Sequence, residues 1–191
     1  VKSGSGTTCE LLADKRQGLV LSGNRCETWA FANAGAQGYY RTAYSPEMLR
    51  ALSTRLQDSL TPSERLSVAG DEWALVRSGR HSAADFLTLA GGYANEHVNG
   101  VLDNVMGRLD FVDRYLTSAS SRERFQRFTR ALFLPLYREV GFAPAPGDDD
   151  QRRALRSTLI GALGRTARDP EVVGNARRAL DASLEIGRAH V

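Results

Sequence analysis

The spacing of apolar positions divides the chain into two regions. Residues 1–44 contain short apolar or aromatic runs separated by glycine, asparagine and aspartate, a pattern typical of β-strands joined by turns. Strands are predicted at residues 9–12, 18–21, 29–32 and 39–44, with a flexible loop at 2–6 and a turn at 22–24. Because four short strands cannot bury two faces alone, we predict that they are the last strands of a β-sandwich.

From Ser45 onward, apolar residues recur at three- and four-residue spacing, which predicts helices. Residues 46–60 are predicted to form the first of them. Thr61 and Glu64 form a capping box around Pro62, which predicts a second helix that ends at Gly79. The apolar face predicted for this second helix consists of Leu66, Ala69, Trp73 and Val76.

Further helices are predicted after Gly79 from their start signals and apolar faces. The start signals are Ser82 with Asp85, Ser120 with Glu123, Asp148 before 151–163, and Asp169 before Pro170. One more helix is predicted at residues 101–116 from its apolar face. The inward positions are Phe86, Ala90 and Tyr93, then Leu102, Val105, Leu109 and Val112, then Leu155, Leu159 and Leu163, and finally Val172, Ala176 and Leu180. Pro135 should kink or split the helix that ends near Val140, and residues 141–150 are a connector.

These elements predict a mostly α fold, in which the last strands of a β-sandwich precede an irregular array of helical hairpins resembling HEAT or armadillo repeats. The predicted domains are 1–44, the end of the sandwich, and 45–184, part of a helical domain. Residues 185–191 resemble the translation of a sequencing adapter, so we interpret them as a tail outside the fold, and His190 as uninformative.

Composition narrows the function classes. The chain has 191 residues, is 42% hydrophobic and carries a net charge of +3, which excludes a disordered tail. No apolar run approaches the roughly 18 residues of a membrane span. Arginines are interleaved with acidic residues along the chain, so we expect no nucleic-acid partner and no membrane. The chain begins at Val1 without a signal-peptide pattern, so we expect a piece of a longer protein, whose compartment the sequence does not predict.

Residues with catalytic or metal-binding chemistry are few. Cys9 and Cys26 are interpreted as two half-buried thiols, with a disulfide as the alternative if the protein is exported. His81 follows a helix end and is predicted to be a solvent-facing loop residue. The sequence has no His-Glu-x-x-His motif and no recognisable zinc-ligand spacing. We therefore predict no catalytic, cofactor-binding or metal-binding residue.

One cluster of polar and aromatic residues precedes the first helix. It consists of Trp29, Asn33, Gly38-Tyr39-Tyr40-Arg41 and Tyr44. Gly38 supplies the backbone freedom of a turn, and two tyrosines on a strand would place one ring inward and one outward. Arg41 could bridge carbonyls or a carboxylate where sheet meets helices. A structural junction is favoured over a ligand site.

This cluster resembles a segment of the aminopeptidase N-type zinc metallopeptidases. The similar pattern is Asn33-x-x-x-x-Gly38-Tyr39-Tyr40-Arg41-x-x-Tyr44, followed by residues 60–65, the Asp71-x-x-Ala74-Leu75 helix, Gly79-Arg80-x-Ser82 and Asn95-Glu96. Thr42-Ala43 departs from the usual valine-containing pair. The resemblance covers roughly residues 9–184 and is most specific across 29–96, and the later helices match only in pattern.

The resemblance implies a C-terminal part of a zinc aminopeptidase that cleaves N-terminal residues from peptides. The zinc ligands, the general-base glutamate and the transition-state tyrosine of that family belong to a catalytic domain outside this chain. The resemblance therefore implies zinc and peptide substrates for the parent protein, and a helical domain that walls the substrate chamber. The alternative is a free-standing helical-repeat module that binds a protein partner.

Overall fold

The computed structural model describes residues 1–21 and 26–189, with side chains described to residue 185. The predicted turn at 22–24 and the predicted tail residue His190 lie outside the described residues. The chain divides into two compact units, Val1–Tyr93 and Ala94–Val191.

A small antiparallel sheet begins the first unit. Its strands are β1 (Lys2–Ser3), β2 (Gly6–Thr7) and β3 (Ala30–Phe31), in the order β2-β1-β3. Lys2 pairs with Thr7 on one side and with Phe31 on the other. The loop predicted at 2–6 is thus a hairpin, in which Gly6 has a φ of 130° that an L side chain rarely adopts.

Only one of the four predicted strands exists. The run 29–32 contains β3, whereas residues 9–12, 18–21 and 39–44 form no strand. Leu11, Leu12 and Val20 are 83%, 76% and 88% exposed, so these apolar runs have no surface to pack against. Cys9 and Cys26 are free and exposed, which corrects the predicted half-burial and the alternative of a disulfide.

Four helices follow in the first unit. They are α1 (Pro46–Ser53), α2 (Leu56–Ser59), α3 (Pro62–Arg77) and α4 (Ala83–Ala90). The single helix predicted over 46–60 is broken at Thr54 and Arg55. The capping box predicted at Thr61 with Glu64 is confirmed. Ser82 with Asp85 starts α4 as predicted, and these two residues also form a capping box. Gly79, with a φ of 71°, follows the end of α3 as predicted.

The core of this unit lies between helices α1, α3 and α4. Phe86, Ala90 and Tyr93 are fully buried, as their spacing predicted. Tyr93 lies in a 3₁₀ turn, Gly91–Tyr93, that contacts α2, and its hydroxyl donates to the Arg65 carbonyl at 2.7 Å. The buried polar end of Tyr93 is therefore satisfied by the backbone of α3.

The buried face of α3 differs from its predicted apolar face. Leu66 is 39% exposed, and of the predicted residues only Ala69 is fully buried. The buried side chains of α3 are Glu64, Arg65, Val68, Ala69, Asp71, Glu72 and Leu75. The prediction was wrong because charged residues occupy this face, each with a specific partner, and hydrophobic spacing does not register them.

The described residues of the second unit contain four α-helices. They are α5 (Asn99–Phe111), α6 (Ala119–Val140), α7 (Asp150–Gly161) and α8 (Pro170–Ala189), with π-helical turns at Val112–Leu116 and Ala162–Thr166. Ser118, capped with Ser121, starts α6, so the capping box predicted at Ser120 and Glu123 is wrong. The helix continues past Pro135, so the predicted alternative of a split does not occur.

Most predicted inward positions of this unit are confirmed. Leu102, Val105, Leu109, Val112, Leu155, Leu159, Leu163 and Val172 are all buried. Asp169 starts α8 as predicted, accepting hydrogen bonds from the Glu171 and Val172 N–H groups. Ala176 and Leu180 are exposed, contrary to prediction, because periodicity shows which residues share a face but not whether a neighbour covers it. Among the described residues, no helix has the length and apolar character to cross a membrane.

A buried ion pair joins α7 to the connector before it. Asp149, not Asp148, caps α7 and accepts from the Arg152 N–H. Asp148 instead accepts from the Ala145 N–H at 2.7 Å and from the Arg156 guanidinium at 2.6 Å. The side chains of Asp148 and Arg156 are 4% and 5% exposed. These bonds hold the pKa of the Asp148 carboxyl below its ordinary value, the Ala145 N–H being the largest cause.

We predict that Gly92→Ala destabilises the chain, whereas Gly91→Ala does not. A Cβ at Gly92 would overlap the Ser53 carbonyl and the Leu56 side chain, whereas a Cβ at Gly91 meets nothing within 4 Å. Overpacking against backbone costs about 1–3 kcal/mol. Thermal unfolding of the two variants checks this, and equal melting temperatures would show that the turn can shift at no cost.

We predict that Asp148 makes stability depend on acid pH. A carboxyl whose pKa is lowered by folding adds stability above its unfolded pKa of about 3.9, and that stability is lost as pH falls through the lower folded value. Asp148→Asn should therefore lower the melting temperature at pH 7 and flatten its dependence on pH below about 4. The exposed Glu123→Gln variant is the control, and an equal effect of both substitutions would contradict the prediction.

Candidate functional site: the tyrosine–arginine junction

The segment that carries the sequence motif is a hydrogen-bonded turn rather than a strand. Asn33 is buried, and its side-chain amide bridges both backbone groups of Gly38: Oδ1 accepts from the Gly38 N–H at 2.7 Å, and Nδ2 donates to the Gly38 carbonyl at 3.0 Å. The intervening 3₁₀ turn contains Gly35 with a φ of 73°. A Cβ at Gly38 would overlap the Tyr40 ring. Asn33 and Gly38 therefore close this turn together.

Two tyrosine hydroxyls bind the backbone of one residue, Ala32. Tyr44 Oη accepts from the Ala32 N–H at 3.0 Å, and Tyr40 Oη donates to the Ala32 carbonyl at 2.8 Å. Burial raises the pKa of Tyr44 to about 12, so its hydroxyl stays protonated at neutral pH. Because the segment is not a strand, the predicted alternation fails: Tyr39 is fully exposed and Tyr40 is 53% exposed.

Asp71 of α3 anchors the end of the motif. Arg41 Nη1 donates to Asp71 Oδ1 at 3.1 Å, and the Thr42 N–H donates to Asp71 Oδ2 at 3.1 Å. The Asp71 side chain is 3% exposed, whereas that of Arg41 is 65% exposed. Of the two kinds of partner that the sequence left open for Arg41, the structure shows a carboxylate, which lies in the middle of α3, and the guanidinium is largely open to solvent.

Glu64 of α3 anchors the turn and the sheet. Its carboxylate accepts from the Thr61 N–H at 2.8 Å, the Gly35 N–H at 2.8 Å and Lys2 Nζ at 3.0 Å. Burial alone would raise its pKa, but the Gly35, Thr61 and Lys2 donors outweigh burial and hold the pKa below its ordinary value. Glu64 therefore remains ionised while joining the sheet, the turn and the start of α3.

An open pocket lies beside this junction. Its volume is about 590 Å³, and its lining includes Tyr39, Tyr40, Arg41, Leu66 and Asp71. The junction contributes hydrogen bonds and an exposed guanidinium, and none of the described lining side chains pairs a nucleophile with a base. The motif residues Asn33, Gly38, Tyr39, Tyr40, Arg41 and Tyr44 thus lie together, and five of them make contacts within the junction while Tyr39 faces solvent.

A second cluster, missed by sequence reasoning, lies where α3 turns into α4. His81 Nδ1 lies 3.0 and 2.9 Å from the two carboxylate oxygens of Glu72, and Asp85 lies beside them. One ligand atom from each of these three residues lies within 4.8 Å of the others. His81 lies in the loop after α3 as predicted, but its side chain is 20% exposed and pairs with Glu72, which corrects the prediction that it faces solvent.

The pKa values of the two carboxyls in this cluster shift in opposite directions. Burial raises the pKa of Glu72, and the hydrogen bond with His81 offsets this only in part. The Ser82 hydroxyl and N–H, which donate to Asp85, lower the pKa of Asp85. The sequence could not reveal the cluster because its members are separated by nine and four positions across a helix end, which matches no local ligand motif.

We predict that Asp71→Ala destabilises the chain more than Arg41→Ala. Removing Asp71 leaves the Thr42 N–H without its acceptor, at a cost of about 1–3 kcal/mol. Removing Arg41 breaks an ion pair whose arginine is 65% exposed and leaves Asp71 bonded to the Thr42 N–H, at a cost of about 1 kcal/mol or less. Urea unfolding checks the order of the two effects, with the exposed Asp58→Ala as control. The reverse order would mean that the ion pair, and not the backbone bond, holds the junction.

Known proteins match the part of the chain that contains the junction and the helices. Residues 29–189 match the family model of the ERAP1-like C-terminal domain. The puromycin-sensitive aminopeptidase of Caenorhabditis elegans is 31% identical over 166 residues, which cover 85% of this chain and 17% of that protein. Aminopeptidase N of Plutella xylostella is 29% identical over 149 residues, covering 75% of this chain and 16% of that protein.

A plant relative matches a similar share of this chain. Aminopeptidase M1-A of Oryza sativa is 24% identical over 164 residues, covering 84% of this chain and 19% of that protein. The chain spans less than a fifth of the length of these relatives. The match begins at Trp29, where the junction begins, and continues through the helices of both units. The chain belongs to the family of ERAP1-like C-terminal domains.

Proposed function

We propose that this chain is the non-catalytic C-terminal part of a zinc aminopeptidase that removes N-terminal residues from peptides. The match of residues 29–189 to the ERAP1-like C-terminal domain carries the proposal, together with relatives whose names are those of aminopeptidases. In this proposal residues 1–44 are the end of a β-sandwich, residues 45–184 are part of a helical domain, and peptides are the substrates of the parent.

The zinc of this proposal belongs to the parent. When bound, zinc polarises a water molecule that attacks the scissile carbonyl. The 191-residue sequence has no His-Glu-x-x-His motif, so the family's zinc ligands are not among its residues. Glu72, His81 and Asp85 do not reproduce that motif, because only one of them is a histidine.

The role proposed for this chain is to wall the substrate chamber. Such a wall requires the non-helical segment to be fixed to the first helices. Glu64 and Asp71 provide this attachment, since each is buried and accepts backbone N–H groups from that segment. The helical-repeat interaction module is the competing function, and the experiments below separate the two.

The isolated chain is expected to be inactive. Purified residues 1–191 should hydrolyse no aminoacyl-aminocoumarin reporter, because the catalytic residues of the family lie elsewhere. The assay is fluorescence release with and without 1,10-phenanthroline, and full-length puromycin-sensitive aminopeptidase is the positive control. Chelator-sensitive turnover that copurifies with the chain would contradict the proposal.

A chimera tests the positive half of the proposal. The part of this chain that aligns with the Caenorhabditis elegans relative, over 166 residues, would replace the matching segment of that protein. We expect the chimera to keep aminopeptidase turnover of a short reporter and to lose it when Asp71→Ala is added, while Asp58→Ala has no effect. A second chimera, carrying an unrelated helical-repeat segment in the same place, serves as the comparison and should lose turnover as the Asp71→Ala chimera does. A folded but inactive chimera would favour the interaction module.

Sequencing the genomic locus upstream of the codon for Val1 distinguishes the two functions independently. An in-frame His-Glu-x-x-His followed by a downstream glutamate supports the zinc aminopeptidase. A stop codon and start methionine close upstream would instead support the interaction module.

A further inference from the structure

We propose that Glu72, His81 and Asp85 form a binding site for one divalent transition-metal ion of the Zn²⁺ class, at the turn between α3 and α4. Their donor atoms converge to within 4.8 Å of one another. Neither the sequence motif nor the aminopeptidase function assigns any role to these three residues.

The donor set identifies the class of ion. One imidazole nitrogen and two carboxylates form a mixed nitrogen and oxygen set, which suits Zn²⁺ and its neighbours, whereas Ca²⁺ and Mg²⁺ prefer oxygen ligands alone. Three protein ligands leave a fourth tetrahedral position for water. The imidazole would bind in the neutral form, with Nδ1 free to ligate and the proton on Nε2.

The spacing fits an ion of this size. Bonds of about 2.1 Å place tetrahedral ligands about 3.4 Å apart. His81 Nδ1 and the nearer Glu72 oxygen are already 2.9 Å apart, and the widest separation in the cluster is at most 4.8 Å. Shifts of the donor atoms by about 1 Å would bring these separations to about 3.4 Å.

The backbone holds the three residues in place. Glu72 lies in the buried face of α3, and Asp85 is fixed by its capping box at the start of α4. The N–H groups of Arg80 and His81 both donate to the Leu75 carbonyl, at 3.0 and 3.2 Å, which fixes the turn that carries His81. The residues after Glu72 and Asp85, Trp73 and Phe86, pack edge to face with ring centroids 5.1 Å apart.

The charge balance also favours a cation. Glu72 is 1% exposed, and a buried carboxylate needs a compensating charge or several donors. It has His81 as its hydrogen-bond partner, whereas Glu64 on the same helix has three donors. Asp85 adds a second negative charge beside it, and the charges of His81 and then Arg50 act on Asp85. A dication would neutralise both carboxylates at once.

Zn²⁺ titration of the whole chain tests the proposal. The protein is used without a histidine tag and with Cys9→Ser and Cys26→Ser, because both thiols are exposed and would bind zinc themselves. Isothermal titration with ZnCl₂ should give one ion per chain. Saturating Zn²⁺ should raise the melting temperature by about 5 °C, while MgCl₂ at the same concentration should have no effect.

Variants assign the site. His81→Ala and the isosteric Glu72→Gln should weaken Zn²⁺ binding at least about tenfold, since each removes one ligand. His97→Ala is the matched control: His97 Nε2 pairs with Glu139 at 3.1 Å, and no third donor joins this pair among the residues whose side chains are described. This control should bind Zn²⁺ like the parent.

Spectroscopy keeps the test valid if a variant folds poorly. Co²⁺ bound to the unmodified cluster should give visible absorption bands of a four-coordinate ion, and the His81 ring resonances should shift with one equivalent of metal. Absence of saturable Zn²⁺ binding, unchanged binding in His81→Ala, or equal loss in His97→Ala would each overturn the proposal.

Discussion

Buried carboxylates on α3 are the constraint on which the rest of the first unit depends. The described residues before α1 form three strands of two residues each, so most of their N–H groups have no ladder partner. Glu64 and Asp71 supply acceptors for two of them, at Gly35 and Thr42. Since the two residues are separated by seven positions, they project from the same side of the helix two turns apart. One helix thus organises a segment that has little regular structure of its own.

The three buried acids of α3 differ in how they are compensated. Glu64 accepts from three donors, and its pKa falls despite burial. Glu72 has one imidazole partner, and its pKa rises. The same residue type on the same helix therefore behaves in opposite ways. Burial is the largest influence on both carboxyls, but three donors together outweigh it at Glu64, whereas one imidazole partner does not outweigh it at Glu72.

The sequence predicted the parts of the fold that depend on local signals. The helix starts at Thr61 and Ser82 were confirmed because a cap involves residues only three positions apart, although the start predicted at Ser120 lies at Ser118. The predictions of a strand at 39–44 and of inward positions near the end of α8 were wrong. Both features depend on whether another element covers the residues. The same reason explains why the apolar face predicted for α3 was wrong. Buried carboxylates occupy part of the real buried face, and distant partners such as Gly35 and Arg41 stabilise them.

In the candidate site too, the sequence predicted the local features and missed those that depend on distant partners. The motif from Asn33 to Tyr44 could be found by its order in the chain, and Arg41 has the carboxylate partner that its chemistry suggested. Glu64 and Asp71 were visible only as a helix cap and a helix position, since their tertiary partners are 29 to 62 residues away. Glu72 and His81 form a pair that only the turn after Gly79 creates.

The long reach of Glu64 has a consequence for synthesis of the chain. Lys2 and Gly35 are synthesised 62 and 29 residues before their shared acceptor, Glu64. The α3–α4 hairpin can form from local contacts, whereas the earlier segment must wait for α3 before its N–H groups find partners. During that interval the aromatic residues of the segment remain exposed, a situation in which nascent chains depend on chaperones. The order of translation therefore runs opposite to the order in which this unit can be assembled.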